Sequence, residues 1–134
     1  MRIVDASALT AVVLKEDGWE KIISLLVPAY SVDHVTKEVM NAIWKMKNVK
    51  RAIDDNTALG MKKILFDVLK ERTLILLNEM DYLEDAFQIA INNDLTLYDS
   101  LYISACLKRG AQLITTDVKQ AKIAEKLDVQ VITV

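Results

Sequence analysis

The sequence predicts an α/β protein in which helices cover both faces of a parallel β-sheet. Short segments rich in Val, Ile and Leu alternate with longer segments whose apolar residues recur every three or four positions. This alternation of strand and helix is typical of parallel sheets, whose strands are joined by helical crossovers. The chain has 134 residues, of which 52% are hydrophobic. We therefore expect one domain over residues 1–134, with a core that needs no disulfide.

The first half of the chain predicts two strands and four helices. The predicted strands are Arg2–Val4 and Ala29–Val32, and the predicted helices are Ala6–Leu14, Trp19–Leu26, Val35–Asn48 and a segment opened by Asp54 and Asp55 that runs to about Arg72. Pro28 is expected to end the second helix, because proline cannot continue a helical hydrogen-bond ladder. Asp33 is the predicted N-cap of the third helix.

The second half predicts three strands and three helices. The strands are Thr73–Leu77, Gln112–Thr115 and Val129–Val134, and the helices are Asp81–Asn93, Tyr98–Arg109 and Val118–Leu127. Apolar residues surround the helix Tyr98–Arg109 on almost all sides, so we expect it to be buried, and Gly110 is expected to stop it. The strand Thr73–Leu77 is likewise predicted to be buried. Four apolar residues of the helix Asp81–Asn93 fall on one face: Leu83, Phe87, Ala90 and Ile91.

The composition argues against several classes of function. The single cysteine, Cys106, and the single histidine, His34, do not provide the ligands of a Cys/His zinc site, and Cys106 is interpreted as a small buried hydrophobe. The chain has three glycines and no Gly-rich phosphate-binding motif. It also has no signal-peptide pattern and no run of about 20 apolar residues. We therefore expect a soluble, cytoplasmic protein without a membrane partner.

The charge pattern leaves two interpretations open. The net charge is −2, from 17 basic and 19 acidic residues, which does not by itself indicate a nucleic-acid-binding protein. The basic residues Lys45, Lys47, Lys50 and Arg51 nevertheless follow one another with no acid between them. They form either a solvated helix end or a patch that binds phosphate.

Four acids from distant segments are expected to converge at one edge of the sheet. Asp5 and Asp117 each follow a predicted strand, and ligands of parallel α/β sheets bind at the carboxyl ends of the strands. Glu38 lies in the first turns of a helix that follows a strand, and Asp99 lies near the start of the buried helix. Each acid alone has a simpler interpretation, as a helix cap or a surface charge. Together they predict a site for Mg²⁺ or Mn²⁺, because clustered carboxylates repel one another unless a cation neutralises them.

Three hydroxyl residues lie beside these acids in the sequence. Ser7 follows Asp5 by two positions, and Thr115 and Thr116 directly precede Asp117. They could orient carboxylates, water or a phosphate, although hydroxyls beside acids are also common as helix caps. A cation held by the acids would activate water for attack on a phosphodiester and stabilise charge on the phosphoryl oxygens.

These segments resemble the motifs of the PIN-domain family, and within it the VapC-type toxins. Ile3–Ser7 resembles the family's opening strand and first acid. Glu38–Lys45 resembles the second acid and its helix, with Asn41 at the position that often lies beside the acids. Leu97–Tyr102, with Ala105 after it, resembles the segment of the third acid, and Leu113–Asp117 resembles the last motif. The four motifs occur in the family's order over essentially the whole chain.

The resemblance implies a three-layer α/β/α fold with a parallel sheet of about five strands. It also implies a Mg²⁺- or Mn²⁺-dependent endoribonuclease, frequently a homodimer, whose VapC-type members are neutralised by a small antitoxin protein. The residues that it implies as catalytic and metal-binding are Asp5, Glu38, Asp99 and Asp117, with support from Ser7, Asn41, Thr115 and Thr116.

Three alternatives to a nuclease follow from the same sequence. A phosphate- or nucleotide-binding α/β protein is one of them, and the lack of a Gly-rich loop argues against it. Two others remain. The first is a non-catalytic PIN-like module that binds RNA or a protein; the presence of all four acids argues against it. The second is a response-regulator-like receiver, which also gathers acids around Mg²⁺ at strand ends. A receiver needs an acid pair near its first strand and a Lys near its last strand, and neither Asp5 nor the strand Val129–Val134 has such a neighbour.

Overall fold

The computed structural model describes residues 1–71 and 73–134, and its centre is a sheet of five parallel strands in the order β3-β2-β1-β4-β5. The strands are β1 (Arg2–Val4), β2 (Ala29–Val32), β3 (Leu74–Leu77), β4 (Gln112–Thr115) and β5 (Val131–Thr133). All five correspond to predicted strands, so the predicted fold class is confirmed.

Helices cover both faces of this sheet and complete a three-layer α/β/α architecture. The helices are α1 (Ala6–Val13), α2 (Trp19–Leu25), α3 (Val35–Trp44), α4 (Asp55–Lys70), α5 (Leu83–Asn93), α6 (Leu97–Arg109) and α7 (Val118–Lys126). Helix α6 contacts β1, β2 and β4 and carries α5 on its outer side. Helix α1 packs with α2, α3 and α4.

The strand order determines where a ligand site can form. From β1 the chain moves to β2 and then to β3 at one edge, and it returns across the sheet to β4 on the other side of β1. The connections that leave β1 and β4 therefore diverge, and a crevice opens beyond their carboxyl ends. Asp5 directly follows β1, and Asp117 lies two residues beyond β4.

Helix α6 is the central helix, as its sequence predicts. Every residue from Ser100 to Cys106 is buried, and Gly110 ends the helix in the left-handed conformation with φ +62°. Burial raises the pKa of the Cys106 thiol to about 12, so the thiol stays protonated at neutral pH. Cys106 is thus a buried apolar side chain, as predicted.

Two apolar segments are less buried than their sequences predict. Strand β3 lies at the edge of the sheet, and Ile75 and Leu76 are each 39% exposed. On α5, Phe87 and Ile91 are 58% and 60% exposed, so the predicted apolar face of this helix is largely open to solvent. Both segments are apolar as predicted, but the part of the chain that the structure describes leaves one side of each open to solvent.

The boundaries of several elements also differ from those predicted. Asp33 does not cap α3; its Oδ1 accepts a hydrogen bond from the Glu79 N–H at 3.2 Å, which ties the end of β2 to the turn after β3. Helix α3 ends at Trp44, and a π-helical turn, Lys45–Val49, follows it. Helix α4 begins at the predicted pair of acids, and Asp54 caps it by accepting a hydrogen bond from the Thr57 N–H.

Three further elements are shorter than predicted. The last strand is confined to Val131–Thr133. A 3₁₀ turn, Glu79–Asp81, precedes α5, which begins at Leu83. Helix α4 ends at Lys70, and the predicted end of this helix, Arg72, lies outside the described residues.

Within residues 1–71 and 73–134, every helix is too short or too polar to cross a bilayer.

Candidate active site

Asp5 occupies the end of the central strand and is almost completely buried. Its side chain is 2% exposed. Oδ1 accepts a hydrogen bond from the Ala8 N–H at 2.9 Å and so caps α1. The Asp5 N–H donates to the Ile114 carbonyl oxygen, so the backbone that carries this acid is fixed to β4.

Two of the three predicted hydroxyl residues hold the Asp5 carboxylate. Ser7 Oγ lies 2.8 Å from both carboxylate oxygens, and Thr115 Oγ1 donates to Oδ2 at 2.6 Å. Thr116 contributes its backbone, because its N–H donates to Ser7 Oγ at 3.0 Å while its side chain is exposed. The hydroxyls therefore fix the orientation of a buried carboxylate that forms no ion pair with any Lys or Arg of residues 1–71 and 73–134.

Burial raises the pKa of Asp5 to about 6, because an apolar environment disfavours the charged form. The hydrogen bonds from Thr115, Ala8 and Ser7 act in the opposite direction, since they favour the carboxylate, and the negative charge of Asp99 adds to the increase. The site thus contains an acid that is costly to ionise as long as no positive charge lies beside it.

Asp99 interacts electrostatically with each of the three other predicted acids. Its pKa is raised by burial, then by the charges of Asp117 and Glu38. Asp99 in turn raises the pKa of Asp5. Its backbone N–H is capped by Thr96 Oγ1, which places Asp99 in the first turn of α6. Asp99 therefore lies close enough to the three other predicted acids for their charges to act on one another.

Asp117 and Gln120 connect this region to α7. Asp117 caps α7 by accepting a hydrogen bond from the Gln120 N–H at 2.8 Å, and the Asp117 N–H donates to Thr115 Oγ1. The Gln120 side chain is fully buried, with Nε2 donating to the Asp99 carbonyl oxygen at 3.1 Å and Oε1 lying 3.2 Å from Thr115 Oγ1. Gln120 thereby joins α7, α6 and β4 behind the acids.

Glu38 lies in α3 and lines an open groove of about 640 Å³. Its Oε1 accepts a hydrogen bond from the Tyr102 hydroxyl at 2.8 Å and lies 2.9 Å from His34 Nε2. Burial and the Glu38 charge raise the pKa of the Tyr102 phenol above its usual value, so the hydroxyl keeps its proton. Asn41 lies one turn after Glu38, is exposed and lines the same groove.

The sequence interpretation missed the roles of three buried residues: His34, Tyr102 and Gln120. Tyr102 lies three positions after Asp99 on α6, a spacing that places both residues on one face of the helix, so the sequence contained a usable signal. His34 directly precedes α3, four positions before Glu38. Gln120 has no signal in the sequence, because its three contacts come from β4, α6 and its own helix.

We expect Gln120→Leu to lower the free energy of unfolding by about 0.5–1.5 kcal/mol, because it removes the buried hydrogen bond from Gln120 Nε2 to the Asp99 carbonyl oxygen. Urea unfolding measures this change. Gln88→Leu is the matched control, since the Gln88 side chain is exposed and its hydrogen bond among the described residues goes to the exposed Asn92. Equal stability of the Gln120 variant and the wild type would contradict the bridging role.

The donor set of the site suits a hard divalent cation. It consists of carboxylate and hydroxyl oxygens, and among the described residues no Lys or Arg forms an ion pair with Asp5, Asp99 or Asp117. Over the same part of the chain, no three His, Cys, Asp or Glu side chains are arranged to hold one metal ion. Mg²⁺ keeps several waters and binds through one or two carboxylates, so this arrangement is compatible with it. The metal-ligand set stays a prediction.

The basic cluster lies outside the groove. Lys45, Lys50 and Arg51 are exposed in and after the π-helical turn, and Lys47 pairs with Asp55 at 3.2 Å. The lysine that lines the groove is Lys37, next to Glu38. The structure therefore favours a solvated helix end over a phosphate site for the cluster.

Comparisons with known proteins agree with the fold and with the motifs. The model of the PIN domain family matches residues 2–126. Ribonuclease VapC3 of Pyrobaculum aerophilum is 29% identical over 127 aligned positions, covering 92% of this chain and 92% of the relative. Exonuclease VapC9 of the same organism is 30% identical over 139 aligned positions, covering 98% of this chain and 92% of the relative.

Solved structures show the same architecture. PAE2754 from Pyrobaculum aerophilum superposes with a TM-score of 0.69 at 24% identity, over 94% of this chain and 85% of that one. VapBC2 from Rickettsia felis, bound to a DNA fragment from their promoter, gives a TM-score of 0.65 at 13% identity, over 98% and 97% of the two chains. The chain belongs to the PIN domain family, and its relatives there include nucleases of the VapC type.

Proposed function

We propose that this protein is a Mg²⁺- or Mn²⁺-dependent endoribonuclease and the toxin of a VapBC-type pair. The observation that carries the proposal is the placement of four acids on separate segments: Asp5 after β1, Glu38 in α3, Asp99 in the first turn of α6 and Asp117 after β4. The charges of Glu38 and Asp117 raise the pKa of Asp99, and the charge of Asp99 raises that of Asp5, which is consistent with this proximity. The names of the relatives support a nuclease, since one is a ribonuclease and the other an exonuclease. Residues 1–134 would form one catalytic domain.

Asp5 and Asp99 would hold the cation, with Glu38 and Asp117 as direct ligands or as ligands through water. A divalent ion bound there supplies an activated water and neutralises charge on the phosphoryl oxygens. Its positive charge would also remove the penalty of ionising the buried Asp5, because an adjacent opposite charge favours the carboxylate. The acids are thus expected to bind the cation and to be stabilised by it.

The other residues of the site keep the carboxylates in place and receive the substrate. Ser7 and Thr115 fix the orientation of Asp5, and Thr115 Oγ1 also accepts a hydrogen bond from the Asp117 N–H. Lys37 and Asn41 are exposed along the groove beside Glu38, where they would contact phosphate and sugar oxygens of an RNA strand. Positioning of carboxylates before the substrate arrives lowers the reorganisation needed in the transition state.

We expect the purified protein to cleave a mixed RNA pool when Mg²⁺ or Mn²⁺ is present and to lose this activity in EDTA. RNA labelled at its 5′ end distinguishes the modes of cleavage, because an endonuclease gives discrete internal fragments and an exonuclease releases mononucleotides. Cleavage that persists in EDTA would contradict metal dependence. Absence of cleavage in any metal, for every RNA tested, would favour the non-catalytic binding module.

The partner and the oligomeric state belong to the same proposal. The resemblance to VapC-type toxins supports an antitoxin protein as a partner and a homodimer as the working state. We place the protein in the cytoplasm, where its RNA substrate and an antitoxin would both be present. Sedimentation analysis at micromolar concentration gives the mass in solution, and a monomer at every concentration would contradict the homodimer.

A further inference from the structure

A pair of buried hydrogen-bonding side chains holds one oxygen of Glu38. Tyr102 is fully buried in α6, and its hydroxyl donates to Glu38 Oε1 at 2.8 Å. His34 is 3% exposed, and its Nε2 lies 2.9 Å from the same oxygen. The two rings pack together with centroids 4.6 Å apart. Two separate elements thus meet at a single carboxylate oxygen.

The surroundings of His34 assign its proton. Nε2 lies near two acceptors, Glu38 Oε1 and the Tyr98 carbonyl oxygen at 3.2 Å, so Nε2 carries a hydrogen and donates. His34 Nδ1 is buried and has no hydrogen-bond partner among the residues that the structure describes. A buried ring that leaves one nitrogen unpaired is costly. This ring orientation leaves Nδ1 unpaired but lets Nε2 donate a hydrogen bond to Glu38.

The arrangement leaves the other Glu38 oxygen without a protein donor within the described part of the chain, although Glu38 lines the groove. Rotation of the carboxylate would break two hydrogen bonds to buried groups. The same helix carries Asp99 one turn before Tyr102, so α6 contributes one acid and also the side chain that orients another.

We propose that Tyr102, assisted by His34, is a positioning residue that orients Glu38 toward the cation and substrate of this site. The inference rests on the proposed function and extends it to two residues that do not touch the substrate. Hydrogen-bond partners that orient ligating carboxylates typically change metal affinity or activity by about 10- to 100-fold when they are removed.

We expect Tyr102→Phe to raise the Mn²⁺ dissociation constant, or to lower kcat, by about 10- to 100-fold, with a smaller change in KM for RNA. The variant keeps the buried ring and removes only the hydroxyl. Tyr82→Phe is the matched control, because Tyr82 is 2% exposed and its hydroxyl accepts a hydrogen bond from Arg109 Nε at 2.8 Å, away from the groove. Calorimetric titration of the metal-free proteins with Mn²⁺ gives a readout that does not need activity.

A double-mutant cycle separates positioning from a general structural effect. If Tyr102 acts through Glu38, then Tyr102→Phe will have little further effect on Mn²⁺ affinity in a Glu38→Gln background. Full additivity, or a wild-type dissociation constant and kcat in Tyr102→Phe, would overturn the inference. Failure of the wild type to cleave any RNA would count against the proposed function, while the Mn²⁺ titration would still decide the role of Tyr102.

Discussion

Asp99→Asn is expected to lower the rate of metal-dependent RNA cleavage by about 100-fold or more. Asp99 is the acid coupled to the other three, so its loss removes a proposed ligand from the middle of the cluster. Loss of about 3 kcal/mol of transition-state stabilisation corresponds to a factor of about 100 in rate. The Asp99 backbone N–H keeps its bond to Thr96, and the amide has nearly the size of the carboxyl group, so the helix is expected to stay intact.

Asp128→Asn is the matched control for this loss. Asp128 is exposed and lies just before β5, at the edge of the sheet opposite to the acids. Its φ of +64° belongs to the left-handed region, which Asn adopts as readily as Asp. Single-turnover cleavage of labelled RNA, together with circular dichroism, compares the variants. Wild-type activity in Asp99→Asn, or an equal loss in Asp128→Asn, would contradict the assignment.

The stability of the metal-free protein is expected to fall as the pH rises from about 4 to above 6. Burial raises the folded-state pKa of Asp5 to about 6 from its ordinary value of 3.8, so the folded state binds the Asp5 proton more tightly than the unfolded state does. The resulting stabilisation is fully present below the unfolded-state pKa and is lost as the pH rises through the folded-state pKa. A shift of this size corresponds to at most about 3 kcal/mol.

Asp5→Asn tests this pH dependence directly. The amide cannot ionise, and its oxygen can still accept the Ala8 N–H while the hydroxyls of Ser7 and Thr115 rotate to accept from its NH₂ group. We expect the variant to lose less stability than the wild type across this pH range in EDTA. Urea unfolding at several pH values measures the difference, with Asp128→Asn as control. Parallel curves for wild type and Asp5→Asn would contradict the unfavourable ionisation of Asp5.

Sequence pattern alone predicted the strands and the placement of the acids, for a physical reason. Strand residues carry their signal locally, in β-branched and apolar runs, and the acids that follow β1 and β4 must lie at the carboxyl edge of a parallel sheet. The ends of those strands at Val4 and Thr115 were predicted correctly. The strand ends alone are therefore enough to place Asp5 and Asp117 at this edge.

Features that depend on tertiary contacts could not be predicted in this way. Periodicity shows which side of a helix is apolar, but not whether another element covers it, so the exposure of Phe87 and Ile91 was missed. Asp33 has the composition of an N-cap, yet its carboxylate bonds to Glu79 from a segment distant in sequence. The contact of Tyr102 with Glu38 likewise joins residues 64 positions apart. No local pattern specifies such pairings.

Titration of the metal-free protein with Mn²⁺, followed by electron paramagnetic resonance, tests most directly whether the four acids form one cation site. Free Mn²⁺ gives a strong signal that weakens when the ion binds to protein. We predict saturable binding by the wild type, loss of that binding in Asp99→Asn, and unchanged binding in Asp128→Asn. Absence of binding to the wild type, or equal binding by wild type and Asp99→Asn, would contradict a metal site built on these carboxylates.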